Sequence, residues 1–130
     1  NLISWRMGGR LSRSLASKYS VGFHNAGDNN IFAVFTVSSY EEAFAGMLEW
    51  EKFVYADLSA LLSKPADSLS TSTPTFTFKD RIIENKDTRV LLRNDQTVLM
   101  YSFPDRYTLV IAEDETTFRQ ILGRLSPERI

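Results

Sequence analysis

The stretch TRVLLRNDQTVLMYSFPDRYTLVIA, Thr88 to Ala112, is the clearest indication of the fold class because it contains three consecutive segments of strand-forming residues. These segments, TRVLLRN, TVLMYSF and RYTLVIA, are rich in β-branched, aromatic and other apolar residues, which favour strands. The residues between them, Asn94-Asp95 and Pro104-Asp105, are typical of tight turns. We therefore predict three strands joined by tight turns, which places neighbouring strands antiparallel.

Two further strands are predicted towards the N-terminus. In KYSVGFHN, Tyr19, Val21 and Phe23 alternate with small or polar residues, as in a strand that is buried on one face. NAGDNN is typical of a turn, and IFAVFTV is again rich in β-branched and aromatic residues. Upstream of this hairpin, the spacing of Leu11 and Leu15 in RLSRSLAS favours a short helix.

Three more segments are predicted to be helices. Ser39, followed by Glu42, forms a capping box, so we predict a long helix from near Tyr40 to about Leu62. The segment from Lys79 to Lys86 is predicted to be a short helix, although its sequence also fits an irregular strand. Asp114 can cap a final helix that places four apolar side chains on one face, namely Phe118, Ile121, Leu122 and Leu125.

The order of these elements predicts an α+β domain in which an antiparallel sheet has helices packed on one face. A hairpin followed by a helix occurs twice, in YSVGF, IFAVFTV and SYEEAFAGML and again in VLMYSF, YTLVIA and DETTFRQIL, an order that would allow a pseudo-twofold repeat. We expect a single domain over residues 1–130. A mobile internal loop is expected at about 63–75, because Ser63 to Thr75 is rich in small hydroxyl residues and poor in apolar ones.

The composition excludes several classes of function. With 15 Lys and Arg against 16 Asp and Glu, the net charge of -1 supplies no broad cationic field for nucleic acid. The chain has no cysteine, which removes disulfides, zinc-thiolate sites and cysteine nucleophiles, and it has one histidine, His24, so a histidine-rich metal cluster is excluded. We therefore expect no nucleic-acid partner, no metal and no cofactor.

One charged residue interrupts the apolar side of the predicted long helix. At about 100° per residue, Glu51 lies among Phe44, Met47, Leu48, Val54, Tyr55 and Leu58. A carboxylate in this position is either an acid-base catalyst or half of a structural ion pair. Catalysis would need a second group and a cleft, and no second carboxylate occurs at a suitable spacing. The ion pair is favoured, with Arg13 on the predicted N-terminal helix as the first candidate partner and Arg89 as the second.

The other candidate residues have competing structural explanations. His24 lies near a turn and is predicted to be a solvated surface residue. The charged cluster from Asp80 to Arg89 could bind a divalent cation, but its interleaved cations favour a self-neutralising surface network. Trp50 and Phe53 flank the apolar side of the helix and are weak candidates for a partner-binding patch, because aromatic residues are enriched at interfaces.

Four segments together resemble one family. They are RSL at Arg13 to Leu15, AFAGMLEWEK at Ala43 to Lys52, NKDTRVL at Asn85 to Leu91, and YSFPDRYTLVI at Tyr101 to Ile111. These segments resemble the uncharacterised C-terminal extracytoplasmic domain of single-transmembrane proteins from uncultured candidate-phylum bacteria. The resemblance implies a domain outside the cytoplasm, joined to an N-terminal membrane anchor through a flexible spacer. It implies no catalytic residue, because no activity is assigned to that family.

Together these observations predict a non-enzymatic, extracytoplasmic binding or structural module of a membrane-anchored envelope protein. Its partner would be a protein or another envelope component, and the oligomeric state stays open. Contact with the membrane would come only through an anchor outside this segment, an expectation with which the start at Asn1 rather than methionine agrees. The alternative is an envelope enzyme or a small-ligand-binding domain that uses Glu51 and an arginine. A deep pocket around Glu51 would favour the alternative, and a packed Glu51 would favour the module.

Overall fold

The structure, a computed structural model, describes residues 15–26, 28–58 and 75–125, which form six strands and three helices. In chain order these elements are β1 (Leu15–Ala26), β2 (Asp28–Val37), α1 (Tyr40–Trp50), α2 (Val54–Leu58), β3 (Phe76–Ile83), β4 (Lys86–Arg93), β5 (Gln96–Asp105), β6 (Thr108–Ala112) and α3 (Glu115–Leu125). The strands form one sheet in the order β1-β2-β6-β5-β4-β3, and all neighbours are antiparallel. The predicted α+β class with an antiparallel sheet is confirmed.

The stretch from Thr88 to Ala112 forms the interior strands β4, β5 and β6, as predicted. The turn between β4 and β5 lies at Asn94 and Asp95, whose φ angles of 50° and 67° are those of a hairpin turn that Asn and Asp tolerate. The next turn lies at residues 106–107 rather than at Pro104-Asp105, because β5 continues through Asp105. Pro104 falls where the β5–β6 register shifts, a position at which a strand can accept proline.

The segment from Lys79 to Lys86 forms a β-hairpin, and the helix predicted there is wrong. It contains most of β3, a turn at Glu84 and Asn85 with φ angles of 53° and 62°, and the first residue of β4. β3 lies at the edge of the sheet and most of its side chains are exposed. Its sequence therefore lacks the apolar alternation that marks a half-buried strand, and pairing with β4 determines its conformation.

The predicted long helix is interrupted after Trp50. Residues 51–53 form a turn, and α2 extends only from Val54 to Leu58. The indole Nε1 of Trp50 donates a 2.8 Å hydrogen bond to Oδ2 of Asp57, which joins the two helices across the turn. The start of α1 agrees with the prediction, since Ser39 Oγ accepts a hydrogen bond from the backbone N–H of Glu42.

Several predictions fall outside the described residues. They include Arg13, most of the helix expected over residues 10–17, the end of the long helix at residues 59–62, and the expected mobile loop except for Thr75. Of the N-terminal helix, only residues 15–17 are described, and these belong to β1 instead. Thr75 is exposed, and its backbone exchanges hydrogen bonds with Asn94.

Both faces of the sheet carry apolar side chains, and helices pack on each. In β5, Leu99 and Tyr101 belong to one apolar cluster and Met100 belongs to the other, as expected from strand alternation. The first face packs against five buried side chains of α1 and α2, namely Ala43, Met47, Trp50, Val54 and Leu58. The second face packs against three side chains of α3, namely Phe118, Ile121 and Leu122. The helices thus lie on both faces rather than on one, because a sheet with two apolar faces needs cover on each.

The repeated order of hairpin and helix does not produce a twofold arrangement. The order β1-β2-α1 recurs as β5-β6-α3, and β2 pairs with β6 around Val34 and Val110. An axis that exchanges two antiparallel neighbours is perpendicular to the sheet, so it leaves each face in place. Because α1 and α3 pack on opposite faces, no such axis relates them, and the repeat is one of order along the chain only.

Two acidic residues complete the junction between β6 and α3. The buried Glu113 accepts a 3.0 Å hydrogen bond on Oε1 from the backbone N–H of Ile31, which is 82 residues away in the chain. Its own N–H donates to the carbonyl of Ile31 at 3.1 Å, so the side chain extends the β2–β6 ladder by one pair. Asp114 then caps α3 as predicted, because its Oδ1 accepts from the N–H of Thr117 at 3.0 Å.

Substitution of Asn85 distinguishes the hairpin from a helix. At a φ of 62° glycine has no Cβ to strain, so we expect Asn85→Gly to keep close to wild-type stability. Asn85→Val should lose about 1–2 kcal/mol, because a β-branched residue is strained in this region. A helix would give the opposite order, since glycine has the lower helix propensity of the two. Urea unfolding of both variants measures the order, and a valine variant more stable than the glycine variant would contradict the hairpin.

Candidate binding groove

Glu51 lies in a network of polar side chains between α1 and the sheet. As the residue that ends α1, it reaches across to Arg89 in β4 and Tyr101 in β5. Arg89 donates two hydrogen bonds of 2.8 Å, from Nε to Oε2 and from Nη2 to Oε1. The hydroxyl of Tyr101 donates a third, of 2.7 Å, to Oε2. Arg89 and Tyr101 are directly opposite each other in the β4–β5 register, so the sheet places both donors beside the same carboxylate.

Of the two arginines predicted as partners of Glu51, Arg89 contacts it, whereas Arg13 lies outside the described residues. The side chain of Glu51 is 12% exposed and that of Arg89 is 25% exposed, so the pair is largely but not wholly removed from water. Arg89 also donates from Nη1 to Oδ1 of Asp80 at 2.9 Å. The side chain of Asp80 is 84% exposed, and its ion pair therefore contributes little to stability.

The network fixes the protonation of its two donors. Burial raises the pKa of the Tyr101 phenol, and the hydrogen bond to the Glu51 carboxylate raises that pKa further. The hydrogen bonds to Glu51 raise the pKa of the Arg89 guanidinium, against the opposing effect of burial. Tyr101 therefore stays neutral and Arg89 stays charged near neutral pH. Neither donor has a proton to exchange with a substrate in that range.

A groove of about 520 Å³ opens beside the network on the same face of the sheet. Helix α1, strand β5 and the β3–β4 hairpin form its sides. The side chains that α1 and β5 contribute are Tyr40, Phe44, Tyr101 and Phe103, and those that the hairpin contributes include Asp80, Asp87 and Arg89. The groove therefore has aromatic rings on one side and charged groups on the other.

Three of these rings form a compact group, which we call the ring cluster: Tyr40, Phe44 and Phe103. The ring centroid of Tyr40 lies 5.9 Å from that of Phe44 and 5.3 Å from that of Phe103, and Phe44 and Phe103 are 6.1 Å apart. Each distance is within the range of favourable aromatic pairs. Phe44 is 39% exposed, and the other two rings are half-buried. The cluster is thus held in place by ring contacts while part of its surface still meets solvent.

The ring cluster was not predicted from the sequence. Tyr40 and Phe44 are four residues apart on α1, a spacing that puts them on one side of a helix and could have indicated one wall of the groove. Phe103 joins them only through the sheet, and nothing in the sequence near α1 indicates this contact. The predicted patch of Trp50 and Phe53 is not formed, because Trp50 is fully buried. Phe53 is 38% exposed but does not line the groove.

The predicted charged network from Asp80 to Arg89 is present in part. Asp80 pairs with Arg89, and Glu84 pairs with Arg119 of α3, which ties the tip of the β3–β4 hairpin to that helix. Across residues 15–26, 28–58 and 75–125, no group of His, Asp and Glu side chains could hold a metal ion. His24 lies in β1, where its backbone pairs with Asn30.

Comparison of the chain with protein-family models, with curated proteins and with solved structures finds no match. Among the described helices, none combines the length and the apolar composition that crossing a bilayer requires. The function is therefore inferred from the geometry of the groove.

The contact between Glu51 and Arg89 predicts a large effect on stability. Among the described residues, Glu51→Ala leaves Arg89 with the exposed Asp80 as its carboxylate partner and leaves the Tyr101 hydroxyl without its acceptor. We expect a loss of roughly 3 kcal/mol, the lower end of the range for breaking a buried pair, because Arg89 keeps some contact with water. Glu51→Gln should lose less, since its amide oxygen still accepts a hydrogen bond. Denaturant unfolding measures both values.

A double-mutant cycle separates the ion pair from packing. Glu51→Leu combined with Arg89→Met should recover much of the loss, because an apolar pair of similar volume desolvates no charge. Glu41→Ala is the matched control: it also breaks a carboxylate–arginine contact, with Arg106, but both side chains there are exposed, so little change is expected. Additive effects of the single changes at positions 51 and 89 would show that the two residues are not coupled.

Tyr101 makes stability depend on pH under alkaline conditions. In the unfolded chain its phenol has a pKa of about 10, and folding raises that pKa, so the native state keeps a proton that the unfolded state loses. The contribution of Tyr101 is complete below about pH 10 and decreases as the pH rises above that value. We expect urea unfolding between neutral pH and about pH 11 to show a smaller loss of stability for Tyr101→Phe than for the wild type. The same loss in both proteins would contradict the raised pKa.

Proposed function

We propose that this chain is a non-enzymatic binding module of a membrane-anchored envelope protein and that it acts outside the cytoplasm. The observation that carries the binding function is the groove. It combines the half-exposed ring cluster with the carboxylates of Asp80 and Asp87 around a space of about 520 Å³. Aromatic surface with a few polar groups at its edge is typical of sites that bind other molecules.

The surroundings of Glu51 favour binding over catalysis. A general acid or base needs a free position on its carboxylate for the substrate proton. Both oxygens of Glu51 instead accept hydrogen bonds from Arg89, and one also accepts from Tyr101. The carboxylate is therefore engaged in holding α1 against the sheet. The alternative, an enzyme or small-ligand domain that uses Glu51 and an arginine, has less support from this geometry.

A protein partner fits the shape of the groove better than a small enclosed ligand does. Small-molecule sites bury most of the ligand surface, whereas here Phe44 and Leu48 leave apolar surface in contact with solvent along one side of α1. The exposed fraction of Leu48, 40%, is close to that of Phe44 one turn earlier. An apolar surface that continues from the groove along the helix suits the side chains of a second protein.

The location outside the cytoplasm is supported by the resemblance of four segments to anchored extracytoplasmic domains. A fusion of the full-length protein to alkaline phosphatase tests it in a Gram-negative host, because that enzyme is active only where its disulfides can form. An intact but inactive fusion would contradict the proposed location.

Selection of displayed peptides tests the binding function directly. The immobilised domain should enrich peptides from a random library, and Phe44→Ala should weaken their binding roughly tenfold, because truncation of a central aromatic residue is among the costlier changes at an interface. Phe53→Ala is the matched control, since Phe53 is a phenylalanine of nearly equal exposure that does not line the groove. The control should leave binding unchanged.

Two results of the selection would contradict the proposed function. One is that no peptide is enriched above a library selected on an unrelated domain. The other is that the enriched peptides bind equally well to the wild type and to Phe44→Ala while both proteins remain folded.

A further inference from the structure

We infer that the groove receives the guanidinium group of an arginine on the partner protein. This inference rests on the proposed binding function and names the chemistry that the groove recognises. Three observations carry it: the balance of charge in the groove, two internal guanidinium sites built in the same way, and one carboxylate of the groove that makes no ion pair with a described residue.

On the face of the sheet that packs against α1, the charged side chains at the groove are mostly acidic. Arg89 is the one guanidinium among them, and it is already shared between Glu51 and Asp80. Asp87 lies two residues before Arg89 in β4 and so shares its face, as expected from strand alternation. Lys86 also borders the groove. Strand alternation, however, places Lys86 on the same face of β4 as Thr88 and Val90, and Val90 belongs to the cluster that packs against α3. On the face of the sheet that carries Arg89, the groove is thus lined by two carboxylates, Asp80 and Asp87, and by one guanidinium, whose charge Glu51 also shares, so this side of the groove attracts cations.

Two arginines of this chain are already held between a ring and a carboxylate. The guanidinium carbon of Arg89 lies 5.4 Å from the centroid of Phe78, while Glu51 and Asp80 accept its hydrogen bonds. The second is Arg106, whose guanidinium carbon lies 5.5 Å from the centroid of Tyr40 and which donates to Glu41 at 2.8 Å. In both places a flat cation has a ring at one side and carboxylate oxygens at its edge, the arrangement that suits arginine.

A third ring and carboxylate lie in the groove, and no guanidinium of the described residues pairs with that carboxylate. The Ser102 Oγ donates a 2.7 Å hydrogen bond to the backbone carbonyl of Asp87, which fixes the backbone of Asp87 beside β5, and both Asp87 and Phe103 line the groove. The side chain of Asp87 is exposed and makes no ion pair within the described part of the chain. An incoming guanidinium would contact the ring of Phe103 and donate to Asp87. An arginine fits this site better than a lysine, because its planar group can stack and donate two hydrogen bonds at once.

Two other occupants fit less well. An anion would be repelled by Asp80 and Asp87, and a metal ion would need more ligands than the described residues bring together. A second copy of this chain would also have to present an arginine to the groove. Sedimentation of the wild type and of Asp87→Asn decides that case, because a dimer that dissociates on loss of the Asp87 charge would overturn the assignment to a separate partner protein.

A pair of short peptides tests the inference. Acetyl-Gly-Arg-Gly-amide carries the proposed group, and its citrulline analogue has nearly the same shape without the charge. We expect the arginine peptide to shift the amide and aromatic NMR signals of Phe44, Asp87 and Phe103, and the citrulline peptide to bind roughly tenfold more weakly. Asp87→Asn should weaken the binding of the arginine peptide by a similar factor. Asp95→Asn is the control, because Asp95 is an exposed acidic residue in the β4–β5 turn, away from the lining of the groove.

The outcomes separate this inference from the proposed function. The arginine assignment would be overturned if the two peptides bind equally well. It would also be overturned if Asp87→Asn leaves the affinity of the arginine peptide unchanged. If neither peptide shifts the groove signals while selected peptides still depend on Phe44, the assignment is overturned and the binding function stands. If selected peptides do not depend on Phe44 either, the proposed function itself fails.

Discussion

The hydrogen-bonded contact between Glu51 and Arg89 positions α1 against the sheet and thereby shapes the groove. A carboxylate can leave water only if its charge and its lone pairs are matched, and Arg89 and Tyr101 together supply three donors to Glu51. Because Glu51 ends α1, these donors fix where the helix ends above β4 and β5. That position determines the distance between α1 and the β3–β4 hairpin, and so the width of the groove. The contact that occupies both oxygens of Glu51 thus also positions one side of the groove.

Much of the fold could be predicted from the sequence, because several of its elements are determined by local patterns. The strand-forming sequence of β1, the turn residues Asn94 and Asp95, and the caps Ser39 and Asp114 are short-range signals, and the structure has a strand, a turn and two helix starts at these positions. The α+β class follows from the order of those elements. The position of Glu51 against an arginine was also predictable, since a charge among apolar side chains requires a partner. Which arginine contacts Glu51, Arg13 or Arg89, depends on tertiary structure, and the local sequence pattern does not contain that information.

The features that could not be predicted are those that arise between distant segments. β3 has few buried side chains, so only its pairing with β4 makes it a strand. Trp50 was predicted to lie at a surface patch, but it is a core residue, because α1 ends there and its indole donates a hydrogen bond to Asp57. The ring cluster joins Tyr40 and Phe44 to Phe103 across the space between a helix and a strand. The groove is therefore a tertiary feature, and local sequence patterns indicate only one of its sides.

The placement of β6 has a consequence for the synthesis of the protein. β6 pairs with both β2 and β5, so the strand that closes the middle of the sheet is translated after all the others. Until it leaves the ribosome, the N-terminal hairpin and the β3–β5 meander share no strand pairing, and each exposes an open edge. The contact between Ile31 and Glu113 spans 82 residues, and contacts of such separation form slowly. In the nascent chain, the edge of β2 therefore stays without its final partner until β6 has been made, a state in which chaperones protect strands from aggregation.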